Sequence, residues 1–324
     1  MAIQPYEFLW IVKESAYGTQ KTSPVAGTDS HYIRLAGPNR FSMRPKPTMR
    51  KIKYGGGYDI PGYAVSDQYL IMGNLEFELC YSHFTMLAQW ATNRINAGQT
   101  TPWTTTEPSG DMASCTVYHA ITTETGTIRR KRYKGVKVHG GSIKCDTSTG
   151  LAMMSLSLQA QKMDSNTPDA SSDPDATAFP APADTAFPTD PLLMSHLTAT
   201  VNSSSLTYLQ ALNLSWTNVS DARFFGASKF IAFDRMRGRQ ARAEHTVLYT
   251  ASPNWRSAFE GVTSYAASYA WGNGSNTCTV TYNASNLVDA VDDDLTPGKL
   301  FDQKLILENQ YDTSASGDIA SSYA

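Results

Sequence analysis

From Leu75 to Tyr81 apolar and polar side chains alternate, with Leu75, Phe77, Leu79 and Tyr81 on one side and Glu76, Glu78 and Cys80 on the other. That is the period of a half-buried strand. At Ser82 the period lengthens: Phe84, Leu87, Ala88 and Ala91 recur at helical spacing behind a serine suited to an N-cap. The pattern predicts a strand feeding directly into a helix over 82–95. Glu244 to Tyr249 has the spacing of Glu76 to Tyr81 and leads into a second helix candidate over 253–260, where Pro253 suits the first turn. A basic segment precedes each unit, and a Cys-Thr-Val run follows each, at Cys115 and at Cys278. Four features recurring in one order predict an internal duplication.

The remaining periodicities are short and strand-like. Strands are predicted at 8–13, 31–35, 115–121 and 128–138. Ser142 to Asp146 and Met154 to Leu158 alternate on either side of a Ser-Thr-Gly turn, an antiparallel meander. In the second half a strand or hairpin is predicted at 206–216, strands at 243–249, 264–271 and 277–282, and one more within 286–312. The expected fold is mainly β: two tandem β-sandwich units, 1–163 and 192–324, each flanked by a short α-helix. Between them, 164–191 is rich in Pro and Asp, has no Lys or Arg, and contains Thr-Ala-Phe-Pro twice. It reads as an extended linker. Phe179 and Phe187 are more apolar than a free spacer needs, which predicts that it lies along a neighbouring surface. The tail from Thr313 is expected to fray or to pair with a neighbour.

Charge changes the picture. The net charge of -2 conceals two opposite halves: residues 1–163 carry 18 Lys and Arg against 11 Asp and Glu, and residues 164–324 carry 9 against 18. Such halves attract head to tail between copies, although a basic half offset by an acidic linker and tail gives the same totals. Much of the positive charge sits in two segments. One holds Arg40, Arg44, Lys46, Arg50, Lys51 and Lys53 with Pro45 and Pro47; the other holds Arg223, Lys229, Arg235, Arg237, Arg239 and Arg242. Prolines and repelling charges suit the first to an extended loop or long hairpin projecting from a sheet. Three roles are open to these segments: contact with nucleic-acid phosphates, solvated loops, or docking on acidic patches of another copy, with Asp292, Asp293 and Asp294 as candidates. No aromatic stacking pattern accompanies them, and both stand at the same point of the same unit, which favours docking.

Candidate chemistry adds little. The six histidines are scattered without metal-ligand spacing. The Gly55-Gly56-Gly57 stretch lacks the strand–turn–helix context of a phosphate loop, and no nucleophile elbow occurs. Glu76 and Glu78 share a strand face, which an outward polar edge explains as well as acid–base work does. The four cysteines stand alone and read as buried thiols in a reducing compartment. No run of 18 apolar residues would span a membrane, and the N-terminus does not read as a signal peptide. No enzyme, cofactor or metal is predicted.

Several stretches together resemble the tail tube, or major tail, proteins of long-tailed bacteriophages. They are Glu14-Ser-Ala-Tyr-Gly-Thr19, the segment from Gly55 through the predicted helix, and the Gly-Val hairpin and meander from Tyr133 to Met163. The resemblance covers most of 1–163 and, more loosely, 198–308. It implies β-sandwich tube units whose sheets join between copies into a closed ring, trimeric with pseudo-sixfold symmetry or hexameric. It further implies rings stacked through long arms, for which 40–53 and 223–242 are the candidates, and contact with the tape-measure, terminator and distal tail proteins. Such a protein is assembled in the host cytoplasm, resides in the virion, and conducts DNA through its lumen without binding it specifically. The rival readings are a capsid-decorating or tail-completion protein and a carbohydrate-binding β-sandwich; the spread of Trp90, Trp103, Trp216, Trp255 and Trp271 along the chain favours core positions over a sugar platform.

Overall fold

The computed structural model describes residues 7–20, 24, 26–27, 29–52, 62–92, 113–122, 128–164, 186–223, 231, 233–248, 264–292, 302–310 and 319–323. The first half contributes β1 (Glu7–Ala16), β2 (Thr19–Gln20), β3 (Ser30–Arg34), β4 (Arg40–Ile52), β5 (Gly62–Glu78), α1 (Tyr81–Thr92), β6 (Cys115–Thr122), β7 (Ile128–Asp146), β8 (Ala152–Ala160) and β9 (Lys162–Asp164). The second contributes β10 (Leu197–Val201), β11 (Ser204–Ser205), β12 (Leu209–Arg223), β13 (Phe233–Leu248), β14 (Ser264–Gly272), β15 (Thr277–Asp292), β16 (Asp302–Gln310) and β17 (Ile319–Tyr323). The predicted helix at 253–260 lies outside the described residues, as do Lys53, Phe179, Lys229, Asp293 and Asp294.

Eight strands run antiparallel side by side in the order β4–β5–β8–β7–β12–β13–β16–β15. A second layer is made by β3–β1–β6 in the first half and β11–β10–β14 in the second. The long strands β7 and β15 belong to both layers. β7 pairs with β6 through its first half and with β8 through its second, and β15 pairs with β14 and β16 in the same way. Irregularities let each strand turn the corner between layers. In β7 they fall between Tyr133 and Val136 and at His139; in β15, between Tyr282 and Ser285 and at Val288. The three positions in β7 recur in β15 at an offset of 149.

The pairings themselves recur. The partners β1–β3, β1–β6, β4–β5, β5–β8, β6–β7, β7–β8 and β7–β9 have counterparts in β10–β11, β10–β14, β12–β13, β13–β16, β14–β15, β15–β16 and β15–β17. The bulge-derived offset sets Asn74 against Glu244, two residues away from the match between Glu76–Tyr81 and Glu244–Tyr249. A period of two looks the same after a shift of two, so alternation alone leaves that choice open.

The core lies between the layers and runs across both halves. Leu75, Phe77, Leu79, Tyr81, Phe84, Leu87, Ala88 and Ala91 are all buried in it, as the periodicity predicts, together with Leu156, Leu214, Ala243 and Leu305. Cys80, placed by alternation on the polar side, is also buried. Helix α1 packs against β7 of its own half and against β15 and β17 of the other. Two indoles join it to the sheets: Trp90 Nε1 donates to the Val136 carbonyl at 3.1 Å, and Trp216 Nε1 to the Ala91 carbonyl at 2.9 Å.

Three expectations need correction. Ser82 is not the residue that caps α1. Asp190 supplies the cap from the end of the predicted linker, accepting from Ser82 N–H at 3.2 Å and from Ser82 Oγ at 3.1 Å. The predicted strands at 128–138 and 142–146 are one strand, β7, unbroken through Gly140 and Gly141, whose lack of a side chain allows close packing against Trp216 of β12. The tail is not wholly frayed, because β17 pairs with β15 of its own chain through Cys278 to Tyr282. The expectation that the linker lies along a surface is met at Phe187, whose ring packs 6.2 Å from those of Phe8 and Tyr32.

Candidate functional site

The first basic segment forms strand β4 of a long hairpin with β5. β8 covers β5 only from Ile71 to Glu78, whereas β4 stays paired out to Ile52 and Gly62. A two-stranded ribbon therefore projects past the sheet, from Lys46 to Ile52 on β4 and from Gly62 to Leu70 on β5, roughly 20 Å. Arg40, Arg44 and Lys46 are exposed on one face of β4, and Arg50 and Lys51 fall within the ribbon. The second basic segment does the same with β12 and β13. Their pairing continues from Asn218 to Arg223 and from Phe233 to Arg239, beyond the reach of β7 and β16. Arg223, Arg235 and Arg237 lie on this second ribbon. Arg239 donates from Nε to Asn218 Oδ1 at 2.8 Å. Arg242 lies lower, within the sheet, its Nε 3.0 Å from Glu244 Oε1 in an ion pair without hydrogen-bond alignment.

One face of the eight-stranded sheet packs on the core, and the other is largely polar and uncovered among the described residues. Following the pairings across all eight strands gives one continuous row: Arg40, Glu76, Ser155, Ser142, Ser215, Arg242, Glu308 and Asn286. The two arginines each stand beside a glutamate and the centre is three serines, so the row is neutral. Its members are exposed or half-exposed. Glu76 accepts from Ser155 Oγ at 3.2 Å, and Lys304 Nζ lies 3.8 Å from Glu244 Oε2 on the same face. These residues are individually visible as polar positions in alternating strands; their alignment requires the register of seven ladders and escapes sequence reading.

The sheet ends in two strands whose outer sides have no partner among the described residues. At one end, β4 pairs with β5 alone. At the other, β15 from Leu287 to Asp292 pairs with β16 alone. Asp292 closes that stretch of β15.

Glu14, in the Glu-Ser-Ala-Tyr-Gly-Thr stretch, is buried and its carboxylate accepts four hydrogen bonds. Ser114 Oγ and Gly18 N–H donate to Oε2 at 2.6 and 2.8 Å, and Thr116 Oγ1 and Gly135 N–H donate to Oε1 at 2.8 and 2.7 Å. One side chain thus ties β1 to the following turn, to β6 and to β7. Nearby, Lys137 Nζ lies 4.0 Å from the Tyr17 ring centroid and Lys13 pairs with Asp29 at 3.4 Å. The motif is an internal brace, and every charged member of it is satisfied.

Other titratable groups serve the core. His31, His83 and His245 are buried, which lowers their pKa values to about 3, 4 and 4, with His83 and Lys13 adding to the effect at His31. Burial raises the thiols of Cys80 and Cys278 to about 12 and that of Cys145 to about 11. All four cysteines are buried and lie outside any disulfide. Among the described residues no group of three His, Cys, Asp or Glu side chains is arranged to hold a metal ion, and no helix is long and apolar enough to cross a membrane.

The family model for phage tail tube proteins matches residues 7–323. The chain belongs to the phage tail tube protein family. That match spans both halves of the fold and both projecting ribbons. The family is a structural one, which places this tail tube protein in the virion tail, self-assembled and in contact with other tail proteins. No curated protein matches the chain.

Proposed function

We propose that this tail tube protein closes into rings through the two ends of its eight-stranded sheet, that three chains complete a ring of six similar units, and that stacked rings form the conduit for the phage genome. The observation that carries the reading is the sheet itself: polar on its open face with a charge-balanced row running across it, packed on its other face, and unpaired at both ends. An open sheet edge invites aggregation unless it is covered or closed on itself, and head-to-tail contact around an axis closes every edge at once. The recurring pairings of the two halves support a tandem duplication with units at 1–163 and 192–324, joined by the 164–191 linker.

The open face then becomes the lumen wall. Along its central row DNA slides past serines and self-neutralised Arg–Glu neighbours, which offer no net positive charge to hold phosphates and no aromatic platform for bases. The ribbons β4–β5 and β12–β13 reach the neighbouring ring and dock there, with Arg50, Lys51, Lys53, Arg223, Arg235 and Arg237 as contact residues. Tape-measure protein occupies the bore before ejection, and terminator and distal proteins cap the ends.

Negative-stain microscopy with native mass spectrometry tests this reading. Rings or tubes about 100 Å wide built from a unit of three 35.4 kDa chains, about 106 kDa, are expected. A chain that stays monomeric at high concentration, or a six-chain ring, contradicts it.

A further inference from the structure

Among the described residues one strand ladder joins the two halves, β7 with β12, in which Thr217 stands opposite Gly140, Trp216 opposite Gly141, Ser215 opposite Ser142 and Leu214 opposite Ile143. In the recurring pairings β12 corresponds to β4 and β7 to β15. These are the two strands whose outer sides are unpaired among the described residues. The internal junction is thus a template for the external one.

The correspondence can be carried residue by residue. The irregularities in β7 and β15 set Gly140 against Asp289. The ladders β5–β8 and β13–β16, then β4–β5 and β12–β13, set Thr217 against Lys46. A separate feature checks the result: β4 loses register after Pro47 and β12 after Val219, positions that the correspondence brings within one residue of each other.

We infer that β4 of one chain adds to the β15 edge of the next, with Lys46 opposite Asp289, Pro45 opposite Ala290, Arg44 opposite Val291 and Met43 opposite Asp292. This rests on the ring reading above and specifies its partner surface as a second copy of the chain. Three observations support it. Charge is complementary: Lys46 meets Asp289, with Arg44 diagonal to it on the same face, so the basic half of one copy meets the acidic half of the next. Size is complementary as well. In the internal junction a Cβ on Gly141 would lie 2.8 Å from Trp216 Cζ2, and one on Gly140 2.9 Å from the Trp216 carbonyl oxygen. In the external junction the indole becomes the small Pro45 and the glycines become Ala290 and Asp289. Finally, the bulged residue at the template junction, His139, is covered: its Nδ1 is 3.0 Å from Ser220 Oγ. Its counterpart Val288 is an aliphatic side chain left 38% exposed.

Pro45 and Pro47 fit this scheme. They lie two apart, so their missing N–H groups fall on one side of β4, and only Pro45 lies inside the junction. They also guard the edge against unspecific pairing before assembly.

Within one chain β4 and β15 are separated by six intervening strands, roughly 30 Å along the sheet, far beyond disulfide reach. The double variant Arg44→Cys, Val291→Cys therefore cross-links only between chains. Under mild oxidation it is expected to give dimer and trimer bands on a non-reducing gel. The pair Arg40→Cys, Val291→Cys, four residues out of register, is expected to give none. Lys46→Asp lowers the assembled fraction by at least about tenfold by juxtaposing like charges, and adding Asp289→Lys restores assembly. Rings that form normally from Lys46→Asp chains, or that fail to cross-link through 44 and 291, overturn the junction and leave the ring reading standing. A wild-type chain that forms no ring overturns both.

Discussion

His245 shows how single residues limit this fold's tolerance of acid. Its ring is fully enclosed, with Nδ1 3.1 Å from the Leu305 carbonyl and Nε2 2.8 Å from the Tyr269 hydroxyl. The carbonyl can only accept, so Nδ1 carries the proton and Nε2 receives the tyrosine O–H. A second proton has no place there. The folded ring stays neutral to about pH 4, while the unfolded ring takes up a proton near 6.5. Its contribution to stability is complete above pH 6.5 and is lost as pH falls from there toward 4. Between pH 6.5 and 5, where carboxylates hardly titrate, His31, His83 and His245 each withdraw about 2 kcal/mol. Urea denaturation of the unassembled chain is expected to show a falling midpoint across that window, with about a third of the slope removed in His245→Asn. An unchanged slope in that variant contradicts the assignment. None of this is legible beforehand, since six scattered histidines look alike until burial separates them.

At the scale of elements, α1 depends on a residue far from it in sequence. Asp190 meets the first turn of the helix 108 residues away from Ser82, and its backbone carbonyl also accepts from Tyr81 N–H at 3.0 Å. Asp190→Ala removes the carboxylate cap and is expected to cost about 1 kcal/mol, measured as a lower melting temperature, whereas Ser82→Ala costs less because Asp190 still accepts the Ser82 N–H. Equal losses in the two variants would place the cap on Ser82 after all. The strand and helix from Leu75 to Ala91 are legible in the sequence because burial there follows one clean period for each. The cap is hidden because its distance along the chain carries no signal. The continuity of β7 is hidden for another reason: Gly140-Gly141 reads as a break, and only the approach of Trp216 reveals its other use. The first basic segment is legible as a projecting hairpin from its prolines and charges; the second holds no proline and is marked by its charges alone. Which of their residues sit in ribbon and which in sheet depends on where β8, β7 and β16 stop pairing.

For the whole molecule, the unequal charge of the two halves and the recurrence of one set of strand pairings both suit head-to-tail assembly, and the family match supports a tail tube role. The assembly candidates named from sequence, Arg44 and Lys46 on one side and the acidic stretch at Asp292 on the other, fall at the two free ends of one sheet. Asp289 escapes notice because it stands outside that stretch; only the bulge at Val288 brings it opposite Lys46. The neutral row across the open face is likewise a property of the assembled register and of no single strand. Cryo-electron microscopy of tubes formed by the purified chain tests the account most directly. It predicts one sheet running unbroken from chain to chain, β4 beside the neighbour's β15, with Ser142, Ser155 and Ser215 facing the bore. A tube wall in which either edge stays unpaired, or in which those serines face outward, contradicts it.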